Sequence, residues 1–129
     1  MVCLETTFLV DMLRGKRNIV ELQEELEKTE DISIAAPSVM ELWRGAILSN
    51  ATEKEKTKIN ELISSFAILP LDEKSAKEAG EIETELLKAG SKTETEDVMI
   101  AGICRANGEK LVTRDQHYAK ISGLKIIKY

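Results

Sequence analysis

Short apolar runs alternate along this chain with longer segments whose apolar residues recur every third or fourth position. Val2-Cys3-Leu4 is the first run, and Ile32 to Ala36, Ala67-Ile68-Leu69, Leu111-Val112 and Leu124 to Ile127 follow it. Each is continuously apolar rather than alternating, the pattern of a strand buried on both faces. Pro37 and Pro70 read as the stops of the second and third runs.

The segments between the runs carry helical spacing. Phe8, Leu9, Met12 and Leu13 form one stripe, with Thr6 or Thr7 as N-cap and Gly15 closing it. Asn18 reads as the next N-cap, opening a helix to about Lys28 with Ile19, Leu22 and Leu26 on one side. Ser38 and Glu41 have capping-box spacing before Leu42, Trp43, Ala46, Ile47 and Leu48. A charged helix from about Thr52 holds Ile59, Leu62, Ile63 and Phe66 on its apolar side. Asp72 opens a long helix through Ala76, Ala79, Ile82, Leu86 and Leu87, ended by Ala89-Gly90. Thr93 with Glu96, or Thr95, caps a last helix carrying Val98, Met99, Ile100, Ala101 and Ile103, which Asn107-Gly108 terminates.

Strands alternating with helices predict a parallel sheet with right-handed crossovers and helices on both faces. The fold class is therefore α/β in three layers, helices on either side of a short central sheet of about five strands. At 129 residues the whole chain, 1–129, is expected to be one domain.

Composition narrows the class. Apolar residues are 43%, charged residues 32% and aromatics 4%, an aliphatic-core profile. No apolar stretch approaches the roughly 20 residues of a membrane helix, and the N-terminal segment has no basic region of a signal peptide. Cys3 and Cys104 match no metal or redox spacing, so they are expected to be reduced core residues of a cytoplasmic protein. The net charge of −5 is uneven: residues 72–97 hold nine acids and four bases, whereas 98–129 hold six bases and two acids. That asymmetry leaves room for a basic surface and neither favours nor excludes nucleic acid.

Four acids stand where a parallel sheet places chemistry, at the C-terminal edge of its strands. Glu5 follows the first strand and Glu41 lies just after the second; Asp97 opens the last helix and Asp115 follows the fourth strand. Taken singly, each has a plain alternative. Glu41 fits a capping box, Asp97 complements a helix dipole, and Asp115 fits a turn before His117-Tyr118. Together they form a cluster with no paired base, which repels itself unless a divalent cation neutralises it. Oxygen-only ligands favour Mg²⁺ or Mn²⁺ over zinc. The single histidine excludes paired-His acid–base chemistry, and there is neither a Gly-rich phosphate loop nor a nucleophile elbow. A phosphoaspartate receiver would want an Asp where this chain has Leu69-Pro70.

With those acids in place, the phrases LETTFLVDMLRG, PSVMELWRGA, FAILPLDEKSAKEAGEIETELLKAG and EDVMIAGICRANGEKLVTRDQHYAKISGLKII follow one another in an order that resembles the PIN-domain family. The likeness is to its VapC-type toxin ribonucleases of toxin–antitoxin pairs. It implies a PIN-like fold and an endoribonuclease that cuts RNA with Mg²⁺ or Mn²⁺. By motif position, Glu5, Glu41, Asp97 and Asp115 would be the ligands, with Thr6 and Thr113 in support. The family's motif carries Asp where this chain has Glu5, so the alternative is a PIN-fold RNA- or protein-binding module with weakened chemistry. Arg14, Lys16, Arg17, Arg44 and Arg114 are the basic residues expected to hold an RNA backbone. The resemblance also implies a homodimer and a VapB-like antitoxin. Its helix would lie in a groove between the stripes Phe8, Leu9, Met12, Leu13 and Ile19, Leu22, Leu26.

Overall fold

The computed structural model describes residues 1–129. Five short strands, β1 (Val2–Leu4), β2 (Ile32–Ala35), β3 (Ala67–Leu69), β4 (Lys110–Thr113) and β5 (Ile126–Lys128), form one sheet. Their order is β3-β2-β1-β4-β5 and every pairing is parallel, with Val2 beside Ile32 and Leu4 beside Val112. Six helices connect them: α1 (Thr6–Leu13), α2 (Arg17–Thr29), α3 (Ala36–Leu48), α4 (Thr52–Ile63), α5 (Glu73–Lys88) and α6 (Thr95–Asn107). A 3-10 turn, Gln116–Lys120, joins β4 to β5.

The strands divide their side chains between two cores, as the two-residue repeat of a strand requires. Val2, Leu4, Ile34 and Val112 point to one face, where Phe8, Leu9, Ile19 and Ile59 cover them. Cys3, Ala35 and Leu111 point to the other, against Ile82, Leu86, Ile100 and Cys104. The three-layer α/β/α architecture is as expected. Both cysteines are free and fully buried.

Several helix starts differ from the sequence expectation. The second apolar run ends at Ala35, and Pro37 sits in the first turn of α3 instead of merely stopping β2. Proline's fixed φ suits that turn, where its missing N–H costs nothing. Ser38 and Glu41 therefore lie inside α3 and do not form a capping box; the N-cap is Ala35, without a side-chain bond. Lys16, not Asn18, precedes α2, and Glu94, not Thr93 or Thr95, precedes α6; neither makes a side-chain cap. The last strand falls two residues later than Leu124. Gly15, Gly90 and Gly108 do adopt positive φ at helix ends.

The stripes expected to form an open groove do not stay open throughout. Phe8, Leu9 and Ile19 are at most 3% exposed and belong to the core beneath the sheet. Only Met12, Leu13, Leu22 and Leu26 keep partial exposure, because α1 and α2 pack their inner sides directly on the strands.

Candidate active site

The chain turns one way after β1, toward β2, and the other way after β4, toward β5. Between the C-terminal ends of β1 and β4 the sheet therefore has its topological switch point, where helices splay apart and leave a crevice. Glu5 and Asp115 leave those two strand ends.

Glu5 is 3% exposed and has two attachments. Its N–H donates to the Val112 carbonyl at 3.1 Å, continuing the ladder with β4. Its side chain turns back as the N-cap of α1: Oε2 accepts from the Thr7 N–H at 2.8 Å and from the Thr7 hydroxyl. The buried Thr113 hydroxyl also faces Oε2 at 3.4 Å, and the Tyr118 hydroxyl stands 3.5 Å from Oε1.

That same Tyr118 hydroxyl donates to Asp97 Oδ1 at 3.0 Å, so one phenol joins the acid after β1 to the acid at the start of α6. Asp97 lies in the first turn of α6, where Glu96 and Asp97 also suit the positive end of the helix dipole. Glu41 is held separately. The Thr6 hydroxyl lies 2.9 Å from both Glu41 Oε1 and Ser38 Oγ, within donating distance of each. Asp115 caps the 3-10 turn, accepting from the His117 N–H at 2.9 Å and facing His117 Nδ1 at 2.7 Å. Its own N–H donates to the Thr113 hydroxyl oxygen at 3.0 Å. Thr6 and Thr113 thus hydrogen-bond to Glu41 and Glu5, and Asp115 stands at the turn after β4 that its sequence context allowed. His117 is exposed.

Charge ties these groups together. Burial raises the Glu5 pKa above its ordinary value, Thr7 pulls against that, and the charges of Asp97 and Asp115 push it higher. Burial also raises Asp97, with Asp115, Glu94 and Glu96 adding to it and the Tyr118 hydrogen bond opposing. Glu41 is raised by burial and by Asp97, against the Thr6 hydrogen bond. Burial and the charges of Glu5 and Asp97 drive the Tyr118 phenol far up, so it remains a neutral donor. None of Glu5, Glu41 or Asp97 forms a salt bridge, although the chain has lysine or arginine partners for acids elsewhere.

The basic residues sort unequally. Arg114 and Lys16 converge on Asp11, a fully buried acid of α1, at 3.2 and 3.0 Å. Their first role is to compensate that charge. Arg17 pairs with Glu21 at 3.1 Å along its own helix. Arg44 reaches Glu96 at 3.6 Å. Arg14 and Arg44 line an open cleft of about 620 Å³ with Thr6, Glu41 and Lys58, beside the acids.

Oxygen donors alone, partly buried, with Glu5, Glu41 and Asp97 in no salt bridge, match the chemistry of an Mg²⁺ or Mn²⁺ site in kind. As they lie, no three Asp, Glu, His or Cys side chains are grouped closely enough to enclose an ion. One of the Glu5 oxygens is turned onto the N-terminus of α1. The donor set fits the ion in kind; its side chains are arranged around helix caps and Tyr118.

Comparison with known proteins decides the family. A sequence model of the PIN domain matches residues 2–124. The chain belongs to the PIN domain family. Among curated proteins, this PIN domain is 31% identical over 99 residues to the tRNA(fMet)-specific endonuclease VapC of Salmonella typhimurium, covering 76% of this chain and 75% of that one. It is 28% identical over 123 residues to the protein of that name from Shigella flexneri, covering 95% and 92%. Among solved structures, VapBC2 from Rickettsia felis, bound to a promoter DNA fragment, superposes with a TM-score of 0.94 at 25% identity, over 100% of this chain and 99% of that chain. The DNA-bound VapBC of Salmonella typhimurium gives 0.90 at 27% identity, over 99% and 98%. No helix of this PIN domain is long and apolar enough to cross a membrane.

Tyr118 is the member of the site that sequence reasoning missed. An aromatic residue in an apolar slot reads as core, and its ring is core, 1% exposed. The available signal was the hydroxyl itself, three residues beyond Asp115.

Proposed function

We propose that this PIN domain is a metal-dependent endoribonuclease of the VapC type, with Glu5, Glu41, Asp97 and Asp115 as the acids that hold Mg²⁺ or Mn²⁺. The observation that carries the reading is the placing of Glu5, Glu41 and Asp97 about the switch point of the sheet, partly buried, with raised pKa values and without a salt bridge to lysine or arginine. A divalent ion there would supply a water ionisable near neutral pH and positive charge opposite the scissile phosphate. The chain's own residues orient and exclude. Thr113 and Thr7 fix Glu5, Thr6 fixes Glu41, and Tyr118 fixes Asp97. Arg14 and Arg44, in the cleft beside Glu41, are placed to hold a phosphate backbone, which makes RNA binding weaken as salt rises. The relatives named as tRNA(fMet)-specific endonucleases support RNA, and tRNA within it, as the substrate.

The solved VapBC complexes support a VapB-like antitoxin as partner. Its contacts on the first two helices would fall on Met12, Leu13, Leu22 and Leu26, the members of those stripes that remain accessible. A homodimer belongs to the same reading.

One observation favours a second reading, a PIN-fold binding module with weakened chemistry: the Glu5 carboxylate is turned back onto Thr7. RNA cleavage by the purified protein with Mg²⁺, Mn²⁺ or EDTA, beside the Asp97→Asn variant, separates the two. Ion-dependent cleavage lost in Asp97→Asn supports the nuclease. Cleavage indifferent to EDTA overturns it, and RNA binding without cleavage favours the module.

A further inference from the structure

Asp97, like Glu41, is held by one hydrogen bond alone. Glu5 has donors from Thr7 and Thr113, Glu41 has Thr6, and Asp115 has the His117 backbone. The Asp97 carboxylate has a single hydrogen bond, from the Tyr118 hydroxyl at 3.0 Å. Tyr118 lies 21 residues further along, on the 3-10 turn after β4, so it fixes Asp97 relative to the sheet as well as to α6. Its ring packs in the core with Leu111 and Ile121, and a phenylalanine ring could serve there equally. Packing does not require the hydroxyl.

A phenol has one proton to donate. At 3.0 Å from Asp97 Oδ1 and 3.5 Å from Glu5 Oε1, that proton belongs to Asp97. Toward Glu5 the hydroxyl presents its oxygen. The two acids are kept apart by a neutral wedge, and Oδ1 of Asp97 is anchored while Oδ2 remains available. Hydrogen bonds to ligating carboxylates fix the direction of the ligand lone pairs, and their loss costs metal affinity without removing a ligand.

We propose that Tyr118 is a positioning residue of the site, whose hydroxyl orients Asp97 toward a divalent cation. The inference rests on reading Asp97 as a metal-facing acid. Tyr118→Phe keeps the ring and removes only the donor.

The test uses the full chain and two readouts. The first is the dissociation constant for Mn²⁺, by electron paramagnetic resonance or calorimetry. The second is the carbon-13 resonance of the Asp97 carboxyl in EDTA-treated protein. In Tyr118→Phe the Mn²⁺ dissociation constant should rise about tenfold with the melting curve preserved. The Asp97 resonance should move. In an Asp97→Asn background, adding Tyr118→Phe should weaken Mn²⁺ no further, because the hydroxyl acts through Asp97. An unchanged dissociation constant in the single variant, or an equal additional loss in the double variant, overturns the proposal. Should the parent itself take up no Mn²⁺, the metal reading fails, and the resonance alone decides whether the Tyr118 hydroxyl orients Asp97. If Tyr118→Phe unfolds the protein, the hydroxyl is structural and the proposal is overturned.

Discussion

Glu5 is both a helix cap and an acid of the site, and substitutions can separate the two duties. Glu5→Ala should lose about 1 kcal/mol of stability with the cap, and it should abolish ion-dependent cleavage. Asp caps helices as well as Glu, so Glu5→Asp should melt near the parent. By shortening the side chain one methylene it draws the carboxylate back toward the end of β1 while the cap on Thr7 is kept. Mg²⁺ demands near-octahedral geometry at about 2.1 Å, so Glu5→Asp should raise Mg²⁺-dependent cleavage relative to Mn²⁺. Cleavage assays with each ion, beside thermal melts, check both outcomes; Glu5→Ala cutting as well as the parent removes Glu5 from the ligand set. Asp97→Asn keeps an acceptor for Tyr118 while removing a charge that raises the pKa values of Glu5 and Glu41. In EDTA it should therefore melt no lower than the parent. At this scale the sequence reveals the acids, because their positions after strands follow from the apolar pattern alone. It does not reveal that Glu5 also serves a helix, since capping by an acid depends on which rotamer the neighbours leave open.

Elements carry those residues, and the contact between α5 and α6 is the tightest of them. A Cβ built on Gly102 would lie 2.7 Å from the Ala79 nitrogen and 2.7 Å from the Ser75 carbonyl oxygen, both backbone atoms. Backbone cannot yield as a side-chain tip can, so Gly102→Ala must push the helices apart, at about 1–3 kcal/mol. Because α6 carries Asp97 in its first turn, the same variant should also weaken Mn²⁺ binding. Urea denaturation and Mn²⁺ titration measure the two effects, and parental stability in the variant would refute the close packing. A glycine within a helical pattern can be read from sequence only as tolerated. What makes it necessary is the neighbouring helix. Pro37 teaches a related lesson: the residue can end a strand or begin a helix, and here one proline does both because no loop separates β2 from α3.

For the molecule as a whole, acids of opposite behaviour shape the dependence on pH. Glu5, Glu41 and Asp97 have folded pKa values above their ordinary ones, so the folded chain binds protons there more readily than the unfolded chain. In EDTA, stability should therefore rise as pH falls from neutral toward about 4.5. Asp11 behaves inversely. Burial would raise its pKa, but Lys16 and Arg114 outweigh that and hold it below the usual range. The Ser75 N–H likewise lowers Asp72. Their stabilising contributions are present above about pH 4 and lost below it. Melting temperature against pH should thus pass through an acidic maximum, and saturating Mg²⁺ should flatten its neutral side. A curve that climbs steadily to pH 7 in EDTA would contradict the burial and mutual repulsion that raise the site's acids. Strand order was the part of the architecture that the apolar pattern could not supply. Runs of apolar residues specify that strands exist, whereas the placement of β4 beside β1 depends on how α5 and α6 cross the sheet.

That placement also sets a schedule. The hydrogen bond between Thr113 and Glu5 spans 108 residues, and the approach of Tyr118 to Glu5 spans 113. At translation rates of about 5–20 residues per second, roughly 5 to 20 seconds separate the synthesis of the first acid from that of the groups that complete its surroundings. Until then β1 has β2 on one side and nothing on the other, and Glu5 has no Thr113, Tyr118 or Asp115 near it. A nascent chain therefore holds no assembled set of these acids until β4 and the turn after it have been made. A ribosome stalled before β4 releases a fragment without an assembled site.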